Sequence, residues 1–325
     1  MSLTSLLRPG QPLKTWFETS YPNIKFMQSA WRSAGPPELL APEGGNAGLV
    51  GTAFDYRLRF FFAAPDNVQR LVAHRGTINL DPESGEVWTA LDGDRMWHSR
   101  RWDAIAKYVT ETLIRLRPAG IALSLDDERV LTRLCCLLGR LEVPARTGNR
   151  KIIGEDLLAL GPTASVEAHL DLVHAADIDD VVSLIAAARS SAVCDRFGER
   201  FVANPTFAGS SQVGGADADF IIGDTLVEIK TSIAKSLGAD WAWQLLGYLL
   251  LDWDDALSIR KVAFYGSRHR ALFEWNADDA LSEAAGHSVR LEDARAEFMA
   301  WCVKHLPIKS PFVVTRSRSR SLTGD

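Results

Sequence analysis

Cysteine is scarce: Cys135, Cys136, Cys194 and Cys302 are the only four in 325 residues, and they form no CxxC pair or finger spacing. That excludes a structural zinc and a secreted disulfide framework. His169 and His174 lie five apart, so they do not share a helix face as zinc ligands do. The chain does not open on a signal peptide, and no apolar run approaches the roughly twenty residues of a membrane span. The expectation is a cytoplasmic protein with no membrane partner. An excess of positive charge is also missing. The formal net charge is −5, so any nucleic-acid contact must be a local basic surface rather than a global field. Lysine is rare, nine against 27 arginines. Arginine clusters favour planar, bidentate phosphate contacts, although a GC-rich genome produces the same bias.

Hydrophobic residues make up 46% of the chain, ample for one large or two ordinary domains. Residues 1–150 read as mainly helical, with helices over Gly51–Phe62, Arg100–Leu116 and Asp126–Leu141, and a turn at Asp92-Gly93-Asp94. Cys135 and Cys136 fall inside the third helix as small apolar fillers. The polar stretch Val143–Lys151 reads as a connector and internal boundary. From Ile152 to Ser191 the pattern is helical again, followed by a strand over Arg200–Phe207, two further strands over Arg260–Tyr265 and Ala271–Trp275, and a helix over Leu291–His305. The chain closes on Arg316-Ser-Arg-Ser-Arg-Ser, a short basic tail.

Charged residues enter strand-like sequence in one place, Gly214–Ser232. The runs Ala216–Ile222 and Thr225–Lys230 flank Gly223-Asp224, a type II′ hairpin signal. A symmetric two-residue turn then sets Ile222 opposite Thr225, Ile221 opposite Leu226, Phe220 opposite Val227 and Asp219 opposite Glu228. One face carries Ala218, Phe220, Ile222, Thr225, Val227 and Ile229; the other carries Asp217, Asp219, Glu228 and Lys230. Opposed carboxylates repel, and in a partly buried setting neither ionises cheaply without a cation. One or two carboxylates with water and phosphate completing the shell describe a Mg²⁺ site better than a zinc site. The next stretch, Asp240–Leu251, is apolar nearly all round, as in a buried helix, and carries Gln244 and Tyr248 at i and i+4.

Asp219 followed by Glu228-Ile229-Lys230 resembles the active site of the PD-(D/E)XK nuclease superfamily, an Asp ending one strand and Asp/Glu-x-Lys on the next. Ala218 stands where the family name has Pro. Gln244-x-x-x-Tyr248 on the following helix is similar to the RecB-like branch. The resemblance spans residues 177–275. It implies an α/β fold with a restriction-endonuclease-like core, α-β-β-β-α-β around a mixed central sheet, within residues 151–325, the mainly helical 1–150 being packed on it or part of it. It also implies a DNA phosphodiesterase using Mg²⁺, with Mn²⁺ as a substitute. Asp219, Glu228 and the Ile229 carbonyl would hold the ion, Lys230 would orient water or offset charge on the phosphate, and Gln244 and Tyr248 would brace the site.

Asp217 is a candidate partner for Lys230 or a second ion, and Lys235, Arg268 and Arg270 are candidate phosphate contacts. Some RecB-like nucleases hold an iron–sulfur cluster; its cysteine spacing is missing here, so none is expected. Their Gly-x-x-x-His helix has a partial counterpart in Gly51-x-x-x-Asp55, where a plain core helix is the simpler reading. Glu167 and Asp180 are candidate helix-borne acids, although acids at a helix start ordinarily complement the dipole. Two alternatives stay open: a nuclease-fold protein that binds or assembles nucleic acid without cutting, and a structural protein with ordinary strand-face salt bridges.

Overall fold

Gly223 takes φ +59, a conformation glycine adopts without a Cβ penalty, and the two-residue turn it opens sets the register of the hairpin. Ile222 pairs with Thr225, Ile221 with Leu226 and Phe220 with Val227, as the symmetric turn requires. A computed structural model places the hairpin at the centre of an α/β fold. It describes residues 2–33, 39–43, 45–80, 86–88, 95–97, 99–147 and 155–306.

The helices of the first half are α1 (Leu3–Leu6), α2 (Pro12–Ser20), α3 (Lys25–Ser33), α4 (Ala47–Phe62), α5 (Val72–Leu80), α6 (Arg100–Leu116) and α7 (Leu125–Thr147), with a two-stranded ribbon of β1 (Glu86–Trp88) and β2 (Arg95–Trp97) between α5 and α6. The expected turn at Asp92-Gly93-Asp94 lies outside the described residues. After α8 (Glu155–Ala159), α9 (Val166–Leu170), α10 (Ala175–Arg189) and α11 (Ala192–Asp195) come β3 (Phe201–Ala203), β4 (Phe220–Ile222), β5 (Thr225–Lys230), α12 (Ala239–Leu251), β6 (Lys261–Gly266), β7 (Ala271–Asn276), α13 (Ala277–Ala285) and α14 (Leu291–His305).

The main sheet has five strands in the order β3-β4-β5-β6-β7. It is mixed: β5 and β6 run parallel, and the other neighbours run antiparallel. A parallel pair needs a crossover, and α12 supplies it.

Both faces of the sheet are covered. Phe220, Ile222, Val227, Ile229, Ala263 and Tyr265 pack against the layer built from α4, α6, α7 and α10. Ile221, Leu226, Val262 and Phe264, one residue out of phase, pack against α12 and against α2, α3, α13 and α14. The strand period of two therefore serves two cores. This corrects the expectation of one apolar and one acidic face. Glu228 and Lys230 share parity with Leu226 and lie under α12 at the end of a face that is otherwise apolar. Ala218 also moves, joining the α12 side rather than that of Phe220, because the β4 ladder begins only at Phe220 and Asp217 bridges instead to Thr206.

The boundary expected over Val143–Lys151 does not separate two cores. One core joins residues 50–194 to β4, β5 and β6, and the other joins residues 3–31 to residues 207–306. The first five residues of the presumed connector belong to α7, which runs through Pro144 to Thr147. Gly76 lets α5 sit against this last stretch: a Cβ there would lie 1.5 Å from the Leu141 carbonyl oxygen. The close approach of α5 and α7 carries their polar residues to the end of the sheet.

Candidate active site

The β4 ladder stops at Phe220, and that leaves the Ile229 edge of β5 without a backbone partner from β4. The Asp219 carboxylate takes its place, Oδ2 accepting the Ile229 N–H at 2.6 Å. In an antiparallel ladder the N–H and C=O of one residue face the same neighbour, so the Ile229 carbonyl points to the same side.

Glu228 and Lys230 project from β5 toward α12. The Lys230 ammonium donates to Glu228 Oε1 at 2.9 Å and to Gln244 Oε1 at 3.0 Å, and it sits 5.3 Å from the Trp241 ring centroid. Gln244 Nε2 in turn donates to the Tyr248 hydroxyl at 3.0 Å, and Tyr248 stacks on Phe207. The i, i+4 spacing thus delivers an amide and a phenol in series behind one lysine. The loop from β5 to α12 is held from α3, with Gln28 and Trp31 donating to the carbonyls of Leu237 and Ala234.

Glu228 is the electrostatic anomaly. It is 5% exposed, and its Oε2 is buried without a hydrogen-bond partner. Burial, then the neighbouring Asp219 charge, pushes its carboxyl up to about 7, against the pull of Lys230. Asp219 is raised as well, by burial, with Arg59, Lys230 and the Ile229 N–H opposing. An acid whose pKa is raised on folding contributes stability that is whole below its unfolded pKa and is lost as pH rises through the folded value. Glu228 should therefore weaken the protein by about 3 kcal/mol between roughly pH 4.5 and 7.5. Glu228→Gln removes that loss. Its unfolding free energy should match the wild type near pH 4.5 and exceed it progressively toward pH 7.5, as read by denaturant titration. A difference that does not change with pH would contradict the buried ionisation.

The carboxylates open into a cleft of about 930 Å³ whose lining includes Asp219, Glu228, Ile229, Gln244 and Tyr248. The opposite wall comes from the helical half. Gly51 and Asp55 of α4 line it, so the Gly-x-x-x-Asp helix is both core and cleft wall, with Asp55 accepting from Arg59 Nε at 2.7 Å. Glu142 and Arg146 of α7 pair with each other and also line it. Glu142 Oε2 is a second buried oxygen without a partner. Arg146 reaches across to Asp217 at 3.6 Å. Asp217 is accordingly the partner of Arg146, not of Lys230.

Other candidates fall elsewhere. Arg268 is buried in a two-pronged pair with Asp180, at 2.9 and 2.7 Å, which removes both from the roles of phosphate contact and helix-borne ligand. Lys235 and Arg270 are exposed but do not line the cleft, and neither does Glu167. His169 is a core histidine between Arg101 and the Ser165 carbonyl. The four cysteines are buried and unpaired.

The donor set fits a hard cation with a mostly aqueous shell. Among the described residues no group of three or more His, Cys, Asp or Glu side chains converges as a cage, whereas Mg²⁺ is held by one or two carboxylates and keeps its waters. The orphaned Glu228 oxygen, the second Asp219 oxygen and the Ile229 carbonyl supply that number. No helix among the described residues is long and apolar enough to cross a membrane. Comparison with protein-family models, with curated proteins and with solved structures finds no match.

Proposed function

We propose that the chain is a Mg²⁺-dependent nuclease that hydrolyses DNA phosphodiester bonds, with a restriction-endonuclease-like core made of α10, β3, β4, β5, α12 and β6. One observation carries the reading. Glu228, which lines the cleft beside Asp219, keeps a buried and unpartnered carboxylate oxygen, with an ammonium two residues away held by three partners. Other buried polar atoms among the described residues also lack a partner; what sets Glu228 apart is that it lines the cleft beside a second carboxylate, Asp219.

Asp219, Glu228 and the Ile229 carbonyl would hold the ion. When bound, Mg²⁺ lowers the pKa of a coordinated water and polarises a phosphoryl oxygen. Lys230, fixed by Glu228, Gln244 and Trp241, is not itself part of the cleft lining; it would act from beside Glu228, lending positive charge to the phosphate as the water oxygen attacks and the bond to the leaving oxygen breaks. Gln244 and Tyr248 act through Lys230 as positioning residues. Burial, then the Glu228 charge, holds the Tyr248 phenol well above its ordinary range, so it stays a neutral prop.

Cation binding requires ionised Glu228. Mg²⁺ or Mn²⁺ should raise the melting temperature, and by more at pH 8 than at pH 5.5. Each tenfold excess of ion over its Kd adds about 1.4 kcal/mol. In the same buffers linear or single-stranded DNA should be cut only when the ion is present. A melting temperature indifferent to Mg²⁺ would favour the structural alternative, and ion binding with no cutting the nuclease-fold binding protein.

A further inference from the structure

Helix α14 turns one face inward, where Leu291, Ala294, Arg295, Phe298 and Cys302 are buried. Its outer face is the anomaly. Ala296, Met299, Ala300 and Val303 are all exposed, Met299 by 41% and Val303 by 61%, and their i, i+3, i+4, i+7 spacing makes a continuous stripe along one side of a helix. Among the described residues no other two large exposed apolar side chains stand one turn apart on the same helix. Apolar residues scattered singly over a surface need no explanation. A second apolar stripe, on a helix already buried along its first, is the pattern of a helix with a further packing partner.

Charge says which partner fits. One flank of the stripe carries Asp293, Glu297 and Lys304, all exposed, and no ion pair among the described residues engages any of them. The acids lie toward the N-terminal end and the lysine toward the C-terminal end, as the helix dipole favours, so the flank complements itself when read backwards. Take an antiparallel pair of α14 helices related by a two-fold axis midway between Met299 and Ala300. Each flank then meets the same flank of the other copy, and Lys304 falls between the partner's Asp293 and the partner's Glu297. Ala296 comes against the partner's Val303, small against large. Ala300 meets the partner's Ala300 beside the axis, where two methyl groups let the helices approach to about 8 Å, the near end of the packing range. A parallel pair loses all of this. The charged flank would face the opposite side of the partner's stripe, where Arg295 is already buried against Asp252 and Asp255 and Glu292 is held by Arg290 at 2.6 Å.

We propose that the outer face of α14 is a self-association surface, which joins two copies of the chain through an antiparallel helix pair with two-fold symmetry. A stripe this short covers far less than the roughly 20–30 residues a side of a standard interface, so the dimer belongs to the transient class, with a Kd of about 10–100 µM. None of these residues lines the cleft. The proposal therefore stands apart from the nuclease reading, and the failure of either leaves the other untouched.

Sedimentation velocity on the full chain, from about 1 to about 500 µM, should show the 35.8 kDa monomer giving way to a species of twice that mass, and more completely at low salt, which leaves the flanking charges unscreened. Met299→Glu with Val303→Glu should keep the melting curve of the wild type, both side chains being exposed, and weaken the dimer by about tenfold or more. Lys304→Glu should weaken it likewise, by setting like charges together. Adding Asp293→Lys and Glu297→Lys to that variant should restore association, because the reversed flank again complements itself. Ala300→Cys should cross-link two copies under mild oxidation, whereas Val303→Cys should not, its counterpart lying about 10 Å away along the helix. A chain that stays monomeric throughout, whether the stripe is bare or covered by something other than a second copy, overturns the proposal. So does a dimer indifferent to Met299→Glu with Val303→Glu. Cross-linking through Val303→Cys alone, or a reversed flank that does not recover association, overturns the antiparallel pairing.

Discussion

Lys230→Ala should abolish Mg²⁺-dependent cutting, with a loss of about a thousandfold or more, while the protein stays folded. The magnitude follows from removing a preorganised charge beside the reacting phosphate, which typically costs about 10²–10³ for a single hydrogen-bond donor. Here the group removed is an ammonium held by a carboxylate, an amide and an indole ring. Asp219→Asn and Glu228→Gln should be as severe, and they separate chemistry from folding. The amide oxygen introduced by Asp219→Asn can still accept the Ile229 N–H, so the edge of β5 keeps its substitute partner, while the charge that attracts a cation is gone. Gln244→Ala should cost less, about tenfold to a hundredfold, since Lys230 keeps Glu228 and Trp241. The measurement is single-turnover cleavage of labelled DNA with a melting curve for each variant. Cutting that survives Lys230→Ala or Asp219→Asn would remove the proposed site from the reaction.

Arg268→Ala should produce the opposite pattern: a large loss of stability and no change in the salt dependence of DNA binding. Arg268 and Asp180 are each at most 2% exposed and bond through both oxygens of the carboxylate, and Arg268 also donates to the Leu40 carbonyl. Truncating one partner of a buried pair strands the other, typically at a cost of about 3–5 kcal/mol. Arg268→Ala with Asp180→Asn should recover part of that, because a neutral amide is cheaper to leave in place than a charge. Denaturant unfolding of the two single variants and the double variant gives the coupling directly. A loss under about 1 kcal/mol for Arg268→Ala would place the side chain at the surface, where its basic surroundings suggest a phosphate contact.

Much of the site was legible because hairpin and helix periodicities are local rules. The Gly223-Asp224 turn implied the pairing of Phe220 with Val227 before any coordinates, and the apolar run of α12 put Gln244 and Tyr248 on one face. Arg100–Leu116 and Leu291–His305 emerged with the boundaries their patterns suggest. What stayed hidden depends on tertiary contacts. Pro144 and the polar residues after it read as a connector, yet α5 packs against this stretch and keeps it helical, and that is what brings Glu142 and Arg146 to the cleft. The basic turn at Arg268 looked like surface because nothing in its neighbours announces Asp180, 88 residues earlier. Ala218 changed faces because a strand pattern does not reveal where its ladder begins. Arg8 and Arg75, which also line the cleft, carry no local signal at all.

The packing of Leu3, Leu6, Leu13 and Phe17 with Phe298, Cys302 and Leu306 in one cluster has a bearing on synthesis. The segments made first wait for those made near residue 306 before they have anything to bury against. The part of the cleft lining that α1 and Arg8 supply is therefore mounted late, and a ribosome-bound fragment lacking α14 would have the β4–β5 carboxylates but not the whole cleft. The order of translation would then leave the cleft unfinished until α14 is made.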